Sequence, residues 1–186
     1  MKRAISKFIF LTISIIFLSC QSKIEKNEPS SKITFFEENS LGDFNSDLKL
    51  ILNARFNECG EWGGHEEEMV IYAEPEKGFF LNYKKFKVNC ESINDTNIDP
   101  SQNLELSKTI KLNNNNKKSI TDYLERILKS KIEENFLGHA GNTFSAIKSD
   151  STLFIRVYDK KKANIQSYNQ LQRELGFSPT EIKEKE

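Results

Sequence analysis

The chain has 186 residues, with 27 lysines and arginines against 27 aspartates and glutamates, and only eight glycines and four prolines. That length suits one domain large enough to bury a real core. The balance of charge argues against nucleic acid as a partner, which needs a basic face, and no polybasic run is present to hold anionic lipid headgroups.

The N-terminus is the most explicit stretch. Lys2, Arg3 and Lys7 give a basic start, and the apolar run Phe8 to Leu18 follows, then the small residue Ser19 and Cys20. This order is that of a secretory signal. The run is too short for the hydrocarbon core of a bilayer, roughly 30 Å thick, which takes ~20 helical residues. The ending Phe17-Leu18-Ser19-Cys20 resembles the lipobox of bacterial lipoproteins, with Phe17 where leucine is usual and Leu18 one place later. The resemblance covers the first twenty residues. It implies a signal peptide over 1–19, acylation of Cys20 (with palmitate among its chains) as the mature N-terminus, and a place in the bacterial cell envelope, anchored to a membrane. Loss of the signal leaves 24 cations against 27 carboxylates, so the mature chain is slightly acidic. Lipid on Cys20 would therefore supply the attachment.

Residues 20–32 read as a lipid-attached tether, polar and without apolar periodicity, able to reach about 40 Å when extended. A single domain is expected over 33–178, with a frayed tail over 179–186. Ile33 to Phe36 suggests a short first strand. Leu48, Leu50, Leu52, Ala54 and Phe56 alternate with more polar residues, the signature of a half-buried strand. Cys59-Gly-Glu-Trp-Gly-Gly-His65 breaks the pattern with three glycines and reads as a loop. Met69 to Tyr72 predicts the next strand and Pro75 to Gly78 a tight turn. Phe79, Leu81 and Tyr83 share one face, whereas Phe86, Val88 and Cys90 have the opposite parity. That slip suggests a β-bulge at Lys84-Lys85, returning the later residues to the core. The alternative is a strand that ends at Tyr83 with a new one beyond it.

Ser92 to Asn103 is loop-like, and Leu104 to Leu112 alternates as an edge strand with Lys108 dissenting. Asn113 to Asn116 reads as a low-complexity turn. Ile120, Tyr123, Leu124, Ile127, Leu128 and Ile132 then fall on one helical stripe, with Ser119 and Asp122 as a weak capping box and Gly138 as its stop. Thr143 to Ile147 and Leu153 to Tyr158 form a hairpin. Ile165, Tyr168, Leu171 and Leu175 mark a second helix ended by Gly176. The fold expected is α+β: a mainly antiparallel sheet of about five to seven strands with two helices on one face. The phenylalanines fall mostly on inward faces.

With Cys20 assigned to lipid, Cys59 and Cys90 remain, and an oxidising compartment predicts a disulfide between them. They sit beyond strands separated by a third, about 9–10 Å apart. The glycine loop must therefore bend over to bring their Cα atoms within about 7 Å. That loop is the candidate binding surface, through Trp62, His65, Glu66 and Glu67; alternatively, Trp62 folds back over the Cys59 region as a lid. His65-Glu-Glu-Glu68 lacks the close Cys or His pairs of a zinc site, so it reads as a solvated acidic turn, and no metal or cofactor is expected. His65 and His139 are the only histidines, and no nucleophile elbow, phosphate loop or dinucleotide fingerprint accompanies them. The first reading is a lipid-anchored, non-enzymatic binding or structural domain, with another envelope protein as its possible partner. The alternatives are an inhibitor or immunity-type lipoprotein, and a small envelope hydrolase using His65 or His139 with a carboxylate.

Overall fold

The computed structural model describes residues 34–44, 47–60, 63–92, 101–134, 141–159 and 162–181. The expected signal and tether, with Cys20, Ile33, Trp62, Gly138 and His139, lie outside them. Six strands form one sheet: β1 (Leu50–Arg55), β2 (Glu66–Glu74), β3 (Gly78–Asn89), β4 (Ser101–Lys111), β5 (Thr143–Lys148) and β6 (Phe154–Tyr158). Their order is β4-β3-β2-β1-β5-β6, every neighbouring pair antiparallel. Helices α1 (Asn114–Ile132) and α2 (Ala163–Glu174) complete the expected α+β architecture.

Strand β1 lies within the sheet between β2 and β5, and its Leu50, Leu52 and Ala54 are fully buried. Met69, Ile71, Phe79, Leu81, Tyr83, Phe144, Ala146, Ile155 and Val157 extend this inner face across the sheet. The helices pack on it through Ile120, Tyr123, Leu124 and Ile127 of α1 and Ile165, Tyr168 and Leu171 of α2. Among the described residues, no helix is long and apolar enough to cross a membrane.

Several boundaries differ from the sequence reading. Residues 34–37 form no strand, and a single 3-10 turn follows at Glu38–Leu41. Helix α1 starts before Ser119. Asn113 accepts from the Asn116 amide at 2.9 Å while the Asn116 side chain accepts from the Asn113 amide at 3.1 Å. The asparagine run is thus a reciprocal cap rather than a turn. The helix also ends at Ile132, short of Gly138. In α2 the Asp159 carboxylate takes the amides of Asn164 and Ile165, at 3.1 and 3.2 Å, supplying the N-terminal acceptor. Gly176, at φ +78°, stops that helix as expected.

The irregularity near Lys85 belongs to β4. Lys85 faces Leu106 and Phe86 faces Leu104, which leaves Glu105 as the extra residue. Phe86 and Val88 do not return to the core: they are half-buried, and Cys90 is exposed. Phe177 covers Tyr83, with ring centroids 4.5 Å apart, and burial on β3 stops there. On β4, Leu104 and Leu106 are 58% and 44% exposed, so its alternation marks an edge with little cover. The described phenylalanines divide between buried, half-buried and exposed positions, with Phe36, Phe80 and Phe86 half-buried. Phe56, Phe79, Phe144 and Phe177 are buried, whereas Phe35, Phe44 and Phe154 are exposed.

Candidate functional site

The β1–β2 connection leaves the sheet at Phe56 and returns at His65, whose carbonyl accepts the Phe56 amide at 3.0 Å. Between them the chain doubles back, and Cys59 donates its amide to Gly63 O. Gly64 lets the loop close. A Cβ there would stand 2.0 Å from a Glu58 carboxylate oxygen and 2.7 Å from Phe56 O. Cys59 is bonded to Cys90, with Cα atoms 5.2 Å apart. Strand β3 runs four residues past Lys85, its last described neighbour of β2, so Cys90 overhangs the sheet on the side where Cys59 overhangs β1. This overhang removes the interstrand distance that stood against the bridge. Gln102 adds a second clamp, donating to Gly64 O at 2.8 Å and accepting from the Glu66 amide at 3.3 Å.

Two of the residues expected on the surface of this loop point inward. His65 and Glu67 are both buried, and Glu67 completely so. His65 Nδ1 bonds to Glu58, its Nε2 lies 3.3 Å from Glu67 Oε1, and its ring stacks on Phe56 at 4.3 Å between centroids. Glu67 is the meeting point of segments far apart in the chain. Tyr83 Oη and Tyr168 Oη each donate to it at 2.9 Å and Gln172 Nε2 at 2.7 Å, and Thr180 Oγ1 donates as well. Lys85 Nζ stands 3.9 Å away. Tyr168 and Gln172 share one face of α2, four residues apart. The carboxylate therefore staples α2 and the chain beyond it onto β2 and β3. Thr180, expected in a frayed tail, is buried by this contact, and its amide donates to Gln172 Oε1 at 3.1 Å.

The electrostatics follow from that geometry. Burial alone pulls the His65 pKa down, but the hydrogen bonds and charges of Glu58 and Glu67 outweigh it and hold the pKa at about 9. Burial pushes the Glu67 carboxyl up, yet His65, Thr180, Tyr83 and Tyr168 keep it below the ordinary range. Glu58 is held low in the same way by His65. Tyr83 and Tyr168 are raised by burial and by the charge of Glu67, so both remain donors. At neutral pH His65 is an imidazolium with both N–H groups engaged. It has no lone pair with which to take a proton or hold a metal. A carboxylate offers about four acceptor positions, and those of Glu67 are spent on its donors.

The acidic turn of the sequence reading is thus the start of β2 with one carboxylate inside. Glu66 is half-buried and lies 3.5 Å from Arg55 Nε, on the opposite face from Glu67. Sequence alone missed Tyr83, Tyr168, Gln172 and Thr180 as partners. Elsewhere, an open cleft of about 590 Å³ lies between the Glu38–Phe44 segment and the sheet, lined by Glu38, Asp43, Phe44, Phe79 and Lys148 among others. His65 does not line it. No protein-family model matches the chain, and no curated protein matches it in sequence.

Proposed function

We propose that this chain is a lipid-anchored protein of a bacterial cell envelope whose folded domain binds a partner and performs no catalysis at His65. The observation that carries the reading is the bond between Cys59 and Cys90. It accounts for two of three cysteines and leaves Cys20 behind an apolar run and a small residue. A stable intrachain disulfide belongs to an oxidising compartment, and an export signal is the route to one. The reading as a hydrolase through His65 loses its support, because a general base needs a free nitrogen within reach of a substrate proton.

Fractionation tests the anchor. The wild-type protein should sediment with membranes and resist an alkaline carbonate wash, while Cys20→Ala should be released in soluble form with Cys59 and Cys90 still bonded. Equal partitioning of the two proteins would refute the anchor.

A further inference from the structure

The helices cover one face of the sheet, and no described element covers the other. On that outer face Phe154, Ile147, Ile51 and Val70 stand side by side on β6, β5, β1 and β2. Tyr72 and Phe80 continue the apolar band, their rings stacked 5.8 Å apart. None of these six belongs to the core; Phe154 is 63% exposed and the other five are half-buried. Polar outer positions, with the inner face carrying the core, are the usual arrangement in such a sheet; an apolar band there marks a surface for a partner.

The charges say which kind of partner. By alternation and register the face carries Lys49, Arg55, Lys84, Lys111 and Arg156 against Glu66, Glu68 and Glu74. Arg55 is paired with Glu66 and Lys84 with Glu68. Lys49, Lys111 and Arg156 have no ion pair among the described residues, and they stand around the apolar band. The face is thus cationic on a mature chain that is acidic overall.

We infer that the outer sheet face docks a second, different protein through an apolar patch ringed by aspartates and glutamates. Its size fits. Six strands at ~4.8 Å and rows of some 20–25 Å give roughly 600–700 Å² of flat area, close to the ~800 Å² per partner of a standard interface. A second copy of this chain would bring the same net positive face against itself. A bilayer would meet the three carboxylates of the face, and the chain enters the domain on the helix side, where the amide of Phe36 donates to Glu125 of α1. The inference rests on the binding reading above but not on the lipid anchor.

Photo-crosslinking in intact cells tests it, with benzoylphenylalanine placed at Val70 and, as a control, at the exposed Lys129 of α1. The expected result is a protein adduct from Val70 alone. Its crosslinked peptide should carry apolar residues among aspartates or glutamates. Lys49→Glu and Lys111→Glu, each shown to melt like the wild type with its disulfide intact, should lower the adduct yield at least tenfold. No adduct from Val70, an adduct to lipid, an adduct of twice the chain mass, equal yield from Lys129, or indifference to both charge reversals would each overturn the inference. The same crosslink from exported Cys20→Ala separates the questions: an adduct that survives there leaves the docking face standing even if the anchor fails.

Discussion

His65 and Glu67 form a buried ion pair, Nε2 to Oε1 at 3.3 Å, while the other ring nitrogen of His65 is bonded to Glu58. An exposed pair would contribute little, about 0–1 kcal/mol. A buried one is costly to desolvate, and its geometry must be complete to hold. Here it is nearly complete, because Glu67 receives hydroxyl and amide donors from β3, α2 and the chain after Gly176. The pair joins the loop, the sheet and a helix that share no local sequence.

The protonation of His65 follows. Below pH 6.5 both folded and unfolded chains carry the proton, so its stabilisation is fully present; it falls as pH rises from 6.5 through about 9, where the folded group titrates. Glu67 and Glu58, held low in the folded state, add stability above pH 4.5 that is lost as pH falls through their depressed values. Stability should therefore peak between pH 4.5 and 6.5 and decline above it. Nitrogen-detected NMR should show both ring N–H groups of His65 at pH 7.5. A neutral ring with one bare nitrogen there contradicts the assignment.

Glu67→Gln should cost about 3–5 kcal/mol, the range for breaking a buried pair by removing one partner. It should also lower the pKa of His65, since one of its two carboxylates is gone. Chemical denaturation and histidine titration measure the two effects. A loss below ~1 kcal/mol would mean that the network is incidental.

Reduction of the Cys59–Cys90 bond, or Cys59→Ser with Cys90→Ser, should destabilise the domain by roughly 3–4 kcal/mol in the chain-entropy model, given a separation of 31 residues. Melting with and without a dithiol reductant reads this directly. Alkylation of both thiols in the native protein without reductant would show that the bond is absent.

Much of the fold was legible because its signals are local. Alternation from Leu48 to Phe56 marks β1, and the three- and four-residue spacing of Ile120, Tyr123, Leu124 and Ile127 marks α1. The buried carboxylate was not legible in the same way. Its hydroxyl and amide donors lie between 16 and 113 residues away in the chain, and a run of three glutamates after a histidine looks solvated until they are in place. One local signal was available: Glu67 has the parity of Met69 and Ile71, so the inward face of β2 extends back to it. Strand β4 failed in the opposite direction. Its pattern alternates, but burial depends on what covers a strand, and little described structure covers Leu104 and Leu106.

The proposed anchor at Cys20 is tested by intact-mass analysis of protein purified from cell membranes, with sequencing of its N-terminal peptide. The expected result is a chain that begins at Cys20 and carries acyl chains on that residue, labelled by palmitate in growing cells and unlabelled in Cys20→Ala. An exported chain that begins at any other residue, or one that begins at Cys20 without lipid, would contradict it.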